Sequence, residues 1–317
     1  MEMDTDLAKS EKRRSSSLEQ QAACAATKSV PLEDKFVIVY LHGLTMDAHE
    51  TDSLADACQK TFCDKVINIQ PKCREGLKSI YLSINEQAQK VAEEIRTTLH
   101  NSYPQYSEKE LKALIVNLFG YSQGGLVVCI VAVNDRHDLN IKAVISANAP
   151  LSGTDVLENI KSEVNEFKAK AKAGLKAIGH PSTSLLKAKV LGILLNNAWC
   201  KPAVNLFSRG VRDMRISSTC VKNIKTFIRD GKHNIPILLV AGYISDFDEY
   251  FDFAEEKTAH VNEFIKAYAL LTTRQQNGEH NLLISVKHQL CRTDSFENLT
   301  TSKDDPVYPT NVKNICC

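Results

Sequence analysis

A serine flanked by glycines is the feature of this sequence with the clearest chemistry: residues 120–125 read GYSQGG. An apolar run typical of a strand, Leu114 to Phe119, precedes it, and a helical run, Leu126 to Val133, follows it. In a strand–GxSxG–helix pattern the serine occupies a sharp turn that exposes its Oγ, and glycines stand where a Cβ would collide with strand or helix. Ser122 is therefore predicted to be a nucleophile; the alternative is a structural glycine turn.

An acyl-transfer nucleophile needs two N–H donors for the negative oxygen that develops on the attacked carbonyl. One donor is the amide of the residue after the nucleophile, Gln123, at a helix N-terminus whose dipole favours negative charge. The other comes from the loop after an early strand, and the run Phe36 to Leu41 leads into His42-Gly43-Leu44. We expect the Leu44 amide to be this donor and His42 to be a buried residue that shapes the loop rather than a proton carrier.

In a strand–GxSxG–helix turn, the serine nucleophile is followed along the chain by an acid and then by a histidine. The predicted strand Ile235 to Ala241 leads to an acidic loop, in which Asp246 is the first choice for the acid and Asp248 the second. The alternative is that both aspartates only solvate the loop. The acid would hold the histidine tautomer and stabilise the imidazolium.

The predicted base is His288, because it lies just beyond the apolar run Leu282 to Val286, which has strand length. His280 precedes that run and is less well placed. His260 falls within a helical pattern and is expected to be a surface or packing residue. Ser122, Asp246 and His288 would then form a catalytic triad.

The elements that must position these residues follow an alternating pattern of short apolar runs and helical segments, which predicts an α/β fold with a mostly parallel central sheet flanked by helices. The crossover helix after the second run covers Ile84 to Leu99. Residues 154–231 contain helical patterns without a convincing strand, and we interpret them as an inserted helical cap within a domain of residues 35–317. Polar residues 1–34 are expected to form a disordered leader. The predicted strands cover 36–41, 65–69, 114–119, 141–146, 235–241 and 282–286.

Composition excludes several functional classes. The 317 residues carry 39 Lys and Arg against 38 Asp and Glu, a net charge of +1, so neither a nucleic-acid partner nor an anionic membrane partner is indicated. No apolar run is long enough to span a membrane. The ten cysteines are scattered without metal-binding spacing, which favours reduced thiols, a cytoplasmic location and no metal. No glycine loop for a nucleotide cofactor is present, and no cofactor is predicted.

Four segments match those of a known fold: Tyr81–Ala88, Phe119–Gly125, Ala149–Thr154 and Val211–Ser218. Together they resemble the α/β-hydrolase fold, in particular its lipase-like and palmitoyl-protein-thioesterase-like branches. The resemblance implies a serine hydrolase that cleaves an acyl ester or thioester, with a lipid-like acyl chain under the cap.

The lipase branch also permits a different alignment. There the stretch Glu279 to Leu290 would carry the acid, with Asn281 near that position, and the histidine would follow a later strand at Asn311 to Cys317. No histidine follows His288, so this alignment predicts a degraded or truncated hydrolase that binds acyl ligands or protein partners. The terminal Cys316 and Cys317 resemble lipid-attachment ends, although they also fit the end of an apolar strand.

Overall fold

The computed structural model describes residues 30–135, 138–154, 208–230, 234–242, 284 and 289–291, and the backbone of 312–316. In this part of the chain six strands form one sheet in the order β2-β1-β3-β4-β5-β6. All neighbouring strands are parallel. The strands are β1 Phe36–Leu41, β2 Val66–Ile69, β3 Ile115–Tyr121, β4 Ile141–Ala147, β5 Ile237–Ala241 and β6 Val312–Cys316.

Helices and short 3-10 turns connect the strands. The helices are α1 Asp52–Phe62, α2 Lys78–Tyr81, α3 Ile84–Ser102, α4 Glu108–Ala113, α5 Gln123–Asp135, α6 Arg209–Arg212 and α7 Thr219–Asp230. The 3-10 turns are Leu32–Asp34, Ala48–Thr51 and Cys63–Lys65. None of the described helices is both long and apolar enough to cross a membrane.

Helix α3 shows how local sequence produces these elements. Ser83 caps its N-terminus and Glu86 reciprocates in a capping box, so two backbone N–H groups that would lack partners are satisfied. Its buried residues recur every three or four positions along one face, which packs into the core. The predicted crossover helix is therefore confirmed.

Helix α5, which begins one residue after Ser122, is the most deeply buried helix among those described. Residues 126–132 are at most 2% exposed, and their side chains are apolar around the whole helix. A helix that is apolar on every side must be enclosed on every side. This enclosure therefore holds the start of α5 rigidly beneath the turn at Ser122.

The structure confirms five of the six predicted strands and changes the sixth. Within the predicted run Leu282 to Val286 only Ile284 is described, and it lies in a bend rather than a strand. The strand beside β5 is Val312–Cys316, which confirms the later strand that the lipase-type alignment expects at Asn311 to Cys317.

The predicted domain boundaries fall partly outside the described residues. Residues 208–230, assigned from sequence to the cap, contain Val221, Ile224 and Ile228, which are fully buried, and the helix that carries them packs against α5. Residues 155–207 lie outside the described residues, and the cap stays a prediction. Of the predicted leader, residues 1–29 are also outside, while Leu32 is buried in the core.

The prediction that all cysteines are reduced thiols is wrong, because one of the described cysteines is in a disulfide. Cys58, Cys73, Cys129, Cys220 and Cys291 are free. Cys63, which begins a 3-10 turn at the start of β2, is disulfide-bonded.

Candidate active site

Ser122 occupies the turn between the end of β3 and the start of α5, in a backbone conformation that residues other than glycine rarely adopt. Its φ is 54°, in the left-handed region. The Ser122 N–H donates to the Ala147 carbonyl at 2.8 Å, and the Ser122 carbonyl accepts from the Gly125 N–H at 3.0 Å. These bonds hold the strained residue in place, and its side chain is partly exposed.

The glycines around Ser122 lie where no larger residue fits. A Cβ on Gly124 would lie 2.5 Å from the Leu41 carbonyl oxygen and 2.6 Å from that of His42. A Cβ on Gly120 would overlap the backbone of Gly124, and one on Gly125 would overlap Ala149. The predicted steric need for all three glycines is confirmed.

The turn lies at the point where the order of strands changes direction. From β1 the chain passes to β2 on one side and then returns to β3 on the other. Leu41 at the end of β1 is opposite Gly120 in β3, so the loops after the two strands begin side by side. In open parallel sheets such a switch point, at the carboxyl ends of the strands, is where ligands bind.

The loop after β1 passes close to Ser122 at Gly43, where an added Cβ would lie 3.4 Å from the Ser122 Cβ. His42 Nδ1 donates to the Gly43 carbonyl at 2.8 Å. That carbonyl shares a trans peptide with the Leu44 N–H, so His42 fixes the direction of the N–H as well. Among the described residues, neither the Leu44 N–H nor the Gln123 N–H donates to another group.

The His42 side chain is fully buried. Burial, reinforced by the nearby Arg74 charge, lowers the pKa of His42 to about 4. His42 is therefore neutral at physiological pH, with Nδ1 protonated as a donor. Its Nε2 has no hydrogen-bond partner in the described part of the chain. This agrees with the expectation that His42 shapes the loop rather than carrying a proton.

Arg74, in the loop after β2, is a residue that sequence reasoning missed. Its guanidinium is fully buried and donates to the His42 carbonyl at 2.5 Å, to Gln123 Oε1 at 2.9 Å and to Gln87 Oε1 at 2.9 Å. Gln87 and Gln123 each also donate to the Ser79 carbonyl at 3.0 Å. Sequence reasoning considered only the backbone of Gln123, but its side chain, through Arg74, joins the turn at Ser122 to the loop after β1.

The segment 208–216 holds together three of the stretches on which the sequence resemblance was based. The Asp213 carboxylate accepts from the N–H of Ile84 at 2.7 Å. A Cβ on Gly153, whose φ is +85°, would lie 2.5 Å from the Ile216 nitrogen. The Gly210 carbonyl accepts from Gln123 Nε2 at 3.4 Å. Parts of the chain that match separately in sequence thus meet around one site.

The predicted acid and base, Asp246 and His288, both lie outside the described residues. The residue after His288 is described: buried Gln289 accepts from the Gly242 N–H at 3.0 Å and donates to the carbonyls of Gly242 and Ile284, each at 3.0 Å. Gly242 directly follows β5. Because the strands are parallel, the carboxyl end of β5 lies at the same end of the sheet as Ser122. Gln289 therefore ties its segment to the carboxyl end of β5.

Metal chemistry has no candidate among the described residues, where no three His, Cys, Asp or Glu side chains are grouped so that they could hold an ion. The described part of the site consists of a serine, backbone amides and a buried polar network.

Solved structures that this chain resembles include lipases and other hydrolases. Phospholipase PlaB from Legionella pneumophila is 10% identical with a TM-score of 0.45, and the match covers 80% of this chain and 45% of that chain, so this chain spans less than half of the phospholipase. Lipase BlEst2 from Bacillus licheniformis is 12% identical with a TM-score of 0.45, covering 91% and 87% of the two chains. An extracellular α/β-hydrolase from a Paenibacillus species is 17% identical with a TM-score of 0.37, covering 71% and 86%.

A comparison with curated proteins found no match. The family model described as palmitoyl protein thioesterase matches residues 37–199, which is 163 of the 317 residues. This span includes the loop after β1, the turn at Ser122 and most of the described sheet. The fold is that of the α/β-hydrolases, and the chain belongs to the palmitoyl protein thioesterase family.

Proposed function

We propose that this protein is a serine hydrolase that cleaves an acyl ester or thioester through an acyl-enzyme on Ser122. The observation that carries the proposal is the φ of 54° at Ser122, between a strand and the N-terminus of a buried helix. Strain of this kind persists only where the surroundings enforce it, and it is typical of a nucleophile elbow. Membership of the palmitoyl protein thioesterase family agrees with this chemistry. The substrate that we propose is an acyl, lipid-like ester or thioester.

In the proposed mechanism Ser122 Oγ attacks the acyl carbonyl while His288 takes its proton and Asp246 orients the imidazole. The Leu44 and Gln123 N–H groups receive the negative charge on the carbonyl oxygen. His288 then returns the proton to the leaving alcohol or thiol. Water attacks the acyl-enzyme, with His288 again as base, and releases the acid.

The hydrogen bonds of Gln289 support the choice of His288. They tie the chain beside His288 to Gly242, four residues before Asp246. The predicted strand Leu282 to Val286, beyond which His288 was placed, no longer supports the choice, because Ile284 lies in a bend.

The position of β6 favours a second candidate: a hydrolase-fold protein that keeps Ser122, lacks a working base, and binds acyl ligands or protein partners without turnover. The lipase-type alignment expects the histidine beyond such a strand, and His288 precedes β6 by 24 positions.

A fluorophosphonate probe tests the nucleophile. The wild type and the control Ser102→Ala, which alters an exposed serine on α3, are expected to be labelled, and Ser122→Ala is not. Hydrolysis of p-nitrophenyl butyrate and of palmitoyl-CoA then separates the two candidates. His288→Ala and Asp246→Asn should lower kcat on the order of 10⁴-fold, and His280→Ala should not. An unlabelled wild type, or equal turnover in His288→Ala and wild type, contradicts the proposed mechanism.

The cytoplasmic location stays a proposal, and the Cys63 disulfide weighs against it, because disulfides persist mainly in oxidising compartments. Lipid attachment at Cys316 or Cys317 also stays a proposal. Mass spectrometry of the intact protein from its native source tests it, since an unmodified mass excludes attachment.

A further inference from the structure

One peptide group beside the site lies between two charged side chains. The His42 carbonyl accepts from Arg74 Nη1 at 2.5 Å, and the Gly43 N–H donates to Glu50 Oε2 at 2.8 Å. These two backbone groups belong to the same peptide. The positive guanidinium faces the negative end of the peptide dipole and the carboxylate faces its positive end, so both charges stabilise one orientation of this peptide.

The Arg74 charge is costly to bury and is not explained by packing alone. The side chain is 0% exposed, and its three hydrogen bonds all go to neutral oxygens. Burial lowers the pKa of Arg74 to about 10, which leaves it charged at neutral pH. An apolar residue would fill an interior position at lower cost, since an ion must give up its hydration.

The contacts of Arg74 connect both expected oxyanion donors. Nη1 binds the carbonyl two residues before Leu44, while Nη2 binds the side chain of Gln123 at 2.9 Å. One rigid, planar guanidinium therefore spans the loop after β1 and the first residue of α5. Glu50 holds the opposite end of the same peptide, and Arg74 and Glu50 lie close enough for each charge to act on the other.

We propose that Arg74 and Glu50 are positioning residues that clamp the His42–Gly43 peptide and so keep the Leu44 and Gln123 N–H groups convergent on one oxyanion. The proposal rests on the proposed function, because it assigns those N–H groups to the charge that develops when Ser122 attacks. A displacement of about 1 Å in such a donor can cost on the order of 10²-fold in rate.

The test uses Glu50→Gln, which keeps the shape and a hydrogen-bond acceptor but removes the charge, and Arg74→Lys, which keeps the charge but loses the fork. Glu75→Gln is the matched control. Glu75 also accepts a backbone N–H of the loop after β1, from Ala48 at 3.1 Å, but does not touch the His42–Gly43 peptide. Each kcat is divided by the fraction of Ser122 that fluorophosphonate labels, which removes any loss of folded protein.

We expect kcat per labelled site to fall on the order of 10-fold in Glu50→Gln and 10²-fold in Arg74→Lys, with KM changed by less than about two-fold. The affinity for a trifluoromethyl ketone, whose adduct places an oxyanion between the two N–H groups, should weaken by the same factor as kcat/KM. Glu75→Gln should match the wild type in both measurements.

Two failures are distinguishable. A wild type that is not labelled and does not turn over substrate refutes the proposed function itself. An active wild type whose Glu50→Gln variant keeps the kcat per labelled site and the ketone affinity of Glu75→Gln refutes the clamp alone. Because Glu50 is only partly buried, Glu50→Gln decides the question even if Arg74→Lys does not fold.

Discussion

Adding one methyl group at Gly124 should move the turn at Ser122 away from the loop that carries Leu44. In Gly124→Ala the new Cβ would lie 2.5 Å from the Leu41 carbonyl oxygen, about 0.9 Å short of the 3.4 Å at which ordinary contact begins. The nearest neighbours of this Cβ are backbone atoms of Leu41 and His42, so no side chain can rotate to make room. Helix α5 must therefore move away from the loop that carries Leu44.

We expect this overpacking to lower the free energy of unfolding by about 1–3 kcal/mol. A shift close to 1 Å between Ser122 and Leu44 should lower kcat/KM on the order of 10²-fold. Urea denaturation and hydrolysis of p-nitrophenyl butyrate measure the two effects. Gly76→Ala is the control, because a Cβ there meets nothing within 4 Å and adds only the strain of a φ of +57°. Wild-type kcat/KM in Gly124→Ala would refute the steric reasoning.

Three further predictions concern stability and thiol chemistry. Because the pKa of His42 is about 4 when folded and 6.5 in the unfolded chain, stability should fall by about 3 kcal/mol as the pH drops from 6.5 towards 4. Urea titrations at pH 7 and 4.5 measure this loss, and the difference in the free energy of unfolding between the two pH values should be smaller in His42→Asn. An equal difference in His42→Asn and the wild type would contradict the role of His42. Gly153→Ala should lower the urea midpoint more than Gly76→Ala does. Both residues have a positive φ, but only the Cβ at position 153 would also overlap the backbone of Ile216. In alkylation followed by mass spectrometry, Cys58 should react without reductant and Cys63 only after reduction; early modification of Cys63 would contradict the disulfide.

Local patterns in the sequence were sufficient to predict most of the described sheet and the turn at Ser122. Branched apolar runs mark buried parallel strands, and the three glycines near Ser122 mark a close approach of backbones. Both signals depend on residues adjacent in the chain. The strand at Val312–Cys316 was predicted only through the lipase-type alignment, because Lys313 and Asn314 interrupt its apolar run.

The polar network could not be predicted in the same way. Arg74 lies in a loop near Lys72 and Glu75 and has the sequence context of a surface arginine. Its burial arises because Gln87, 13 positions later, and Gln123, 49 positions later, supply acceptors only once the fold is complete. Side-chain hydrogen bonds of this kind depend on orientation and leave no periodic trace in the sequence.

The pairing of β1 with β3 has a consequence for how the protein acquires its activity during folding. Phe36 pairs with Ile115, 79 positions later, and the loop with Leu44 meets Ser122 only when these two strands are joined. Contacts between residues so far apart in the chain form slowly, because a long loop must close before any contact compensates for its entropy. Strand β2 and the helices can form earlier, yet an intermediate that contains them has no assembled site. Recovery of activity on refolding should therefore lag behind recovery of helical circular dichroism.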